Sequence, residues 1–351
     1  MKHQISFRNL FRQEQHDRLI RTLNPVLAIL VAFAVSGLVV SISGDSPVEA
    51  YTALARGAFG SIAGIRNTIR YMIPILLLAF SFSLCQRCGY FNIGQEGQMY
   101  AAATAAAFVS RALEGTPLFL RITAMILSAC VVSGIATLIP ALFKTLLGIN
   151  EIVVAVMMNY ILSLFSSWTL LYSGIADKNA SMPKSLPIPE QISQTGLLAA
   201  IIVIILLYQF ILRRTAAGYQ LRMTGQNSQF ARVSGLSPKR VIFTAAFLAG
   251  ILAGLAAIGE ILGVYHIVYD GFAAGMGYNG MTATLIGQHN PIGIVLGAAV
   301  LGALQSGSVL LSIDTSVSAE MVQVVQGFVM FFSTVSIIRH SAGKAAAKRG
   351  E

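Results

Sequence analysis

Charged side chains are scarce in this sequence. They make up 11% of the 351 residues, whereas apolar residues make up 55% and the mean hydropathy is +0.72. A soluble domain carries charge on about a quarter of its residues. This composition therefore excludes a domain that solvates its whole surface, and much of the outer face must contact lipid.

Motifs of the common enzyme classes are also missing. There is no G-x-x-x-x-G-K-[ST] loop for the phosphates of ATP, and no H-E-x-x-H, nucleophile elbow or paired-aspartate motif. Cys85 and Cys88 have the spacing of a redox or metal-binding pair, but a lone pair is more often two small residues packed at a helix end. We therefore expect no catalytic residue, no metal site and no cofactor.

Long uncharged apolar stretches dominate instead, most clearly 23–43, 122–143, 152–172 and 291–313. A stretch of about 18 or more residues crosses a hydrocarbon core of roughly 30 Å as a helix. The sequence therefore predicts an all-α polytopic membrane protein with about ten transmembrane helices. The predicted spans lie near 23–43, 69–86, 97–112, 121–143, 150–172, 196–212, 241–263, 277–289, 291–312 and 319–338.

Basic side chains cluster in three segments. Residues 1–22 carry five basic and two acidic side chains, residues 213–240 carry six basic and no acidic ones, and the tail 339–351 carries four basic and one acidic. The positive-inside rule places all three in the cytoplasm. We predict a cytoplasmic segment 1–22, a transmembrane domain 23–338 and a cytoplasmic tail 339–351. Binding of nucleic acid is rejected, because it would need a soluble basic face.

Two predicted spans begin with residues that suit lipid poorly. Segment 89–98 has three glycines, three amides and a carboxylate, and segment 271–280 has four glycines, Tyr278 and Asn279. Irregular polar backbone at membrane depth must be buried in protein or line a water-filled path. The two spans are five apart, so they would run in opposite directions, as in an inverted repeat.

These segments and the polar residues within other spans give the candidate substrate pathway. Its predicted residues are Asn92, Gln95, Glu96, Gln98, Asn159, Glu260 and Asn279. For Glu96 an alternative is a cap or a snorkelling carboxylate at a span end. Asn150 and Glu151 need only a structural role, as an N-cap and a first-turn acid of the fifth span.

Segment 218–235 is predicted to be a short amphipathic helix bounded by glycines, inside the basic loop 213–240. It would dock a soluble partner, or it would be a solvated loop helix or an interfacial helix on anionic lipid. The candidate coupling residues are Gly218, Arg222, Gly225, Gln226, Asn227, Arg232 and Gly235. Small residues four apart, Gly250 with Gly254 and Gly293 with Gly297, indicate close helix packing.

Four sequence landmarks resemble one transporter family in order and spacing. They are Gly-Tyr-Phe-Asn-Ile-Gly-Gln-Glu-Gly-Gln at 89–98, Gly-Ile-Asn-Glu-Ile-Val through Met-Asn-Tyr-Ile at 148–161, the glycine pattern from 218 through 260, and Gly280-Met through Asn290-Pro291. Together they resemble the permease subunits of simple-sugar and nucleoside ABC importers, within the superfamily of branched-chain amino acid and ribose permeases. The nucleoside branch is the most similar.

The resemblance implies a cobalamin-importer-like, type II permease fold in which 218–235 is the coupling helix. It also implies a cytoplasmic ABC ATPase, a second homologous permease subunit and an extracytoplasmic solute-binding protein, in a bacterial inner membrane. A monosaccharide or a flavin-like vitamin stays open as the solute. Two other classes also stay open: a secondary transporter or channel for a small polar solute, and an integral-membrane enzyme.

Overall fold

The computed structural model describes residues 27, 29–42, 44–188, 194–315 and 320–334. The predicted segments 1–22 and 339–351 lie outside these residues. The helices are α1 (Ile29–Ile42), α2 (Pro47–Phe59), α3 (Ile62–Arg87), α4 (Gln95–Ala112), α5 (Leu118–Leu142), α6 (Glu151–Tyr172), α7 (Gln194–Arg214), α8 (Ala216–Gln226), α9 (Ser228–Val233), α10 (Pro238–Glu260), α11 (Met276–Ile286), α12 (Pro291–Asp314) and α13 (Met321–Thr334).

Five of these helices are long and apolar enough to cross a membrane. They are α3, α5 and α10, of which the last two are extended by π-helical turns to Leu147 and Tyr265, together with α6 and α12. The described residues are nearly all helical, as expected. With several helices of this length and apolarity, the chain is a multi-pass membrane protein.

The other predicted spans correspond to α1, α4, α7, α11 and α13. Helices α4 and α7 cover the predictions at 97–112 and 196–212. The predicted span 277–289 is the 11-residue α11, which at 1.5 Å per residue is about 17 Å long and too short to cross by itself. Helix α2 lies between the first two predicted spans, where no span was predicted. Pro47 at its first turn and the Ser46 side chain, which accepts from the Glu49 amide, begin it.

The described residues fall into two compact units. The first contains α1, α2 and the described residues from Ala303 to Thr334, with short segments beside them. Within it α2 and α12 approach backbone to backbone, because a Cβ on Gly57 would lie 2.9 Å from the Cα of Gly307. The Ser306 hydroxyl donates to the Gly64 carbonyl at 3.2 Å. Small residues thus set the spacing of this unit.

The second unit comprises Ile69–Thr284 and His289–Gly302. Its centre is the contact of α5 with α10, where a Cβ on Gly250 would lie 2.5 Å from the Ser133 carbonyl oxygen. One on Gly254 would lie 2.8 Å from the Ala129 carbonyl oxygen. The Ser133 hydroxyl donates to the Gly250 carbonyl at 2.6 Å. The packing role predicted for Gly250 and Gly254 is therefore confirmed.

Segment 173–188 is a loop between α6 and α7, and 189–193 lie outside the described residues. The loop pairs with the chain that follows α10. The amide of Ser185 donates to the Val268 carbonyl and the amide of Ile188 donates to the His266 carbonyl, both at 2.7 Å. These bonds fix the irregular chain from which α11 later starts.

Candidate functional site

The first turns of α4 and α11 lie against each other. Residues 88–94 separate α3 from α4, and residues 266–275 separate α10 and its π turn from α11. A Cβ on Gly277 would lie 3.2 Å from the Glu96 amide nitrogen, so the two helix starts are in contact. Each carries the positive end of a helix dipole. The Glu96 carboxylate lies between them and accepts a hydrogen bond from the Gly275 amide.

Residues 88–94, the non-helical stretch between α3 and α4, are called here the break before α4. The side chains of Asn92 and Gln98 bond to each other across the end of this break. The Gln98 amide donates to Asn92 Oδ1 at 2.8 Å, and the Asn92 amide donates back to Gln98 Oε1 at 3.3 Å. Asn92 Oδ1 also accepts from the Gly94 backbone amide at 3.2 Å. Both side chains are buried. The amides therefore replace the hydrogen bonds that this stretch loses by leaving the helical conformation.

Asn159, in the middle of α6, forms hydrogen bonds to the backbone of the break and of the first turn of α4. Its Oδ1 accepts from the Gly97 amide at 2.8 Å, and its Nδ2 donates to the Ile93 carbonyl at 3.0 Å. Gly97 permits this approach, since a Cβ there would lie 2.8 Å from the Asn159 Cα. On the side of α3, Gln95 Nε2 donates to the Leu78 carbonyl at 2.6 Å. Four predicted pathway residues on α4 and α6 are thus brought together with Asn92.

The predicted residues Asn279 and Glu260 have other surroundings. Asn279 is half-buried in the first turn of α11, near the meeting point with α4. Glu260 is buried and pairs with Arg70 at 3.7 Å. The Arg70 guanidinium lies over the rings of Tyr71 and Tyr265, 4.6 and 5.3 Å from their centroids. Sequence reasoning missed Arg70, because it stands at the predicted start of a span, where a flanking cation is common.

A second network braces the start of the break. Glu151 pairs with Lys144 and accepts from the Phe91 amide, and Lys144 also donates to the Gly89 carbonyl. The Arg87 guanidinium donates to the His289 carbonyl in the turn between α11 and α12. Glu151 therefore holds a neighbouring loop in addition to standing in the first turn of α6. The sequence did contain a sign of this contact, because the base Lys144 and the acid Glu151 are separated only by a short loop.

Cys85 and Cys88 are buried free thiols. The Cys88 thiol donates to the Cys85 carbonyl at 3.0 Å. Burial raises the pKa of Cys88 to about 12, although hydrogen bonding from Tyr90 and the charge of Lys144 lower it. At neutral pH this thiol is protonated, so it is a poor nucleophile and a poor metal ligand.

We expect Cys88 to react very slowly with a maleimide in the folded protein at pH 8. A pKa of about 12 leaves about one thiolate in ten thousand at that pH, and the fraction rises as the pH rises. Peptide mass spectrometry after timed labelling measures the rate. The same protein unfolded in dodecyl sulfate is the control and should label fully; rapid labelling of the folded form would contradict the burial.

The predicted coupling segment consists of two helices, not one. Helix α8 ends at Gln226, and Asn227 begins α9 by accepting from the Gln229 and Phe230 amides at 3.0 and 2.9 Å. Because the Asn227 side chain caps a new helix, the chain starts α9 here and does not continue α8. An amphipathic pattern does not reveal such a break between two helices. Gly235, with φ of +82°, follows the second helix.

The segment sits directly on the break before α4. A Cβ on Gly225 would meet the Arg87 carbonyl and lie 3.3 Å from the Cys88 Cα. Gly218 lies equally close to the end of α7, and the Arg222 guanidinium donates to the Leu212 carbonyl. Gln226 and Arg232 are exposed. So are two apolar side chains that sequence reasoning did not select, Phe230 at 53% and Val233 at 88%.

Long apolar helices, with two helix starts meeting at a buried polar break, define a membrane transport protein. The chain belongs to the family described as the permease component of the branched-chain amino acid transport system, whose model matches residues 64–334.

Three relatives are similar over nearly the whole chain. The guanosine ABC transporter permease protein NupP of Bacillus subtilis is 30% identical, over 94% of this chain and 98% of its own length. The nucleoside ABC transporter permease protein NupB of Lactococcus lactis is 28% identical, over 96% and 99%. The glucose ABC transporter permease protein TsgB13 of Haloferax volcanii is 26% identical, over 93% and 91%.

Proposed function

We propose that this chain is the permease subunit of an ATP-driven importer that moves nucleosides into the cell. The observation that carries the proposal is the meeting of the α4 and α11 helix starts around Glu96, bordered by the amides of Asn92, Gln95, Gln98 and Asn159. Glu96 and Asn279, which are half-buried at the two helix starts, suit a solute rich in hydroxyl and ring-nitrogen groups, while the buried amides hold the chain before α4 in place. The naming of NupP and NupB for nucleosides supports the same solute class.

The proposed topology has about ten crossings, both termini in the cytoplasm and an inverted repeat that pairs α4 with α11. Two features support it. The basic segments 1–22, 213–240 and 339–351 would all lie on one side. A head-to-head meeting of the two helix starts is the arrangement that two oppositely oriented halves produce. The proposed membrane is the inner membrane of a bacterium.

The proposed complex contains a cytoplasmic ABC ATPase, a second homologous permease and an extracytoplasmic solute-binding protein. No phosphate-binding loop occurs in this sequence, so ATP hydrolysis would belong to the separate ATPase. The chain itself would catalyse no chemical step. Its pathway would bind the solute weakly, because an importer must release what it receives.

The α8–α9 segment is proposed as the surface on which the ATPase docks. Phe230, Val233 and Tyr219 are large side chains exposed in a segment that carries basic and no acidic residues. Exposed apolar side chains with a polar rim are typical of a protein contact surface. Movement of the docked segment would reach the break before α4 through the contact of Gly225 with Arg87.

Replacing Gly225 by alanine should uncouple ATP hydrolysis from uptake. The new Cβ meets a backbone carbonyl, so α8 must shift away from the end of α3. ATPase rate and solute uptake, measured together in proteoliposomes, should show hydrolysis retained and uptake reduced at least about tenfold. Gly174→Ala, placed where a Cβ meets open space, is the matched control. Equal coupling in both variants would remove this role for Gly225.

The function is tested by reconstituting the chain with the products of adjacent ATPase, permease and binding-protein genes. Uptake of labelled guanosine, glucose and riboflavin is compared with and without ATP. We expect ATP-dependent guanosine uptake that competing nucleosides suppress. Uptake by this chain alone, driven by an ion gradient, would establish the secondary-transporter alternative. Cysteines at Gln226 and Phe230 should crosslink to the ATPase in the assembled complex.

A further inference from the structure

A groove of about 320 Å³ runs between α7, α8 and α10, and none of residues 88–94 lines it. Leucine, isoleucine and alanine side chains form most of its wall, to which α3 contributes Leu84. It follows α10 from Arg240 to Leu252, which is about 18 Å at 1.5 Å per residue. The groove therefore extends over more than half of a hydrocarbon core of roughly 30 Å.

Polarity changes along the groove. Apart from Tyr208 of α7, whose hydroxyl donates to Ser83, its polar and charged side chains come from the first residues of α10 and from α8; they are Arg240, Thr244 and Gln220. From Ala245 to Leu252 the α10 residues of the wall are all apolar. An occupant that fits both ends must carry an anionic, hydrogen-bonding head and a long apolar tail.

Charge supports an anionic head. Arg240 is exposed, and within the part of the chain that the structure describes its guanidinium has no carboxylate partner. The surrounding stretch 213–240 has six basic and no acidic side chains. Basic pockets between transmembrane helices are suited to the head groups of anionic lipids.

We propose that this groove binds one anionic glycerophospholipid, with its phosphate on Arg240 and one acyl chain along α10 as far as Leu252. The lipid would fill the space between α7 and the rest of its unit, beside the segment that contacts the end of α3. This site is separate from the proposed solute pathway and does not depend on the identity of the solute.

The test is native mass spectrometry of the full chain, purified in detergent with equal amounts of phosphatidylglycerol and phosphatidylcholine. We expect phosphatidylglycerol to be retained about fivefold over phosphatidylcholine, the ratio that corresponds to about 1 kcal/mol for one cation. Arg240→Gln should abolish the preference. Lys239→Gln removes an adjacent charge that does not line the groove, and the preference should persist.

Leu248→Trp supplies a second, independent variant. Leu248 lines the groove and is 43% exposed, so a larger side chain fills the groove without entering the core. Retention of both lipids should fall, and Leu296→Trp, on an exposed apolar position of α12, should leave it unchanged. Equal retention of the two lipids by the unaltered chain would overturn the proposal. So would equal losses in Arg240→Gln and Lys239→Gln, or full retention in Leu248→Trp.

Discussion

Replacing Arg70 by methionine is expected to lower the free energy of unfolding by about 3–5 kcal/mol. The change leaves the Glu260 carboxylate buried without its cation, and among the described residues its Oε2 accepts no hydrogen bond that would compensate. The loss also removes the contacts of the guanidinium with Tyr71 and Tyr265. Thermal denaturation in detergent, followed by the recovery of monodisperse protein, measures the effect.

The double variant Arg70→Met, Glu260→Leu tests whether this loss of stability comes from the buried charge of Glu260. If the cost comes from an uncompensated buried charge, removing the charge should recover most of the lost stability, since an apolar pair of similar volume often replaces an ion pair at little cost. Arg111→Met, which breaks the exposed pair with Glu114, is the control and should change stability by less than about 1 kcal/mol. A double variant as unstable as Arg70→Met would show that packing of Arg70 dominates.

Replacing Gly250 by leucine is expected to prevent assembly of the second unit. The first added carbon would lie 2.5 Å from the Ser133 carbonyl oxygen, and that oxygen belongs to helical backbone that cannot rotate away. Overpacking of a core costs on the order of 3 kcal/mol. Here α5 and α10 must also separate, which breaks the bond from Ser133 to the Gly250 carbonyl. Size-exclusion chromatography should show aggregation or loss of the protein.

Gly327→Leu is the matched control for that experiment. Gly327 also lies in an apolar helix, α13, but a Cβ there meets no described atom within 4 Å. The control should express and elute like the unaltered chain. Normal behaviour of Gly250→Leu would mean that α5 and α10 adjust their separation at little cost, which would contradict the close-packing argument.

Hydropathy predicted the long helices well and the remainder less completely. Helix α6 matches its predicted span to within a residue at its start because the uncharged apolar stretch 152–172 begins just after Asn150, whose side chain caps the helix. Helix α2 was missed because Glu49 and Arg56 make it only weakly apolar, and its start depends on Ser46 and Pro47. The π turns after α5 and α10 leave no mark in a hydropathy profile.

The position of the break before α4 was predictable from the sequence, but the hydrogen bonds that stabilise it were not. Glycines and amides at membrane depth indicated that 89–98 leaves regular helix inside the protein; residues 88–94 do so, but α4 already begins at Gln95. Which amide binds which group depends on residues distant in the chain, such as Asn159 with Gly97 and Glu96 with Gly275. Arg70 shows the same limit, because its partner Glu260 is 190 residues away in sequence.

The approach of Gly225 to the end of α3 determines how motion passes between these parts of the protein. Most contacts between helices are made by side chains, and rotamer changes there can absorb a displacement of a few tenths of an ångström. At Gly225 there is no side chain, and the opposing atoms are the Arg87 carbonyl and the Cys88 Cα. With no clearance and no rotatable bond at this joint, α8 cannot press toward α3 without carrying the backbone of 87–89 along. A displacement of α8 toward α3 is therefore passed on to the backbone of 87–89, whereas a displacement of α8 away from α3 is not.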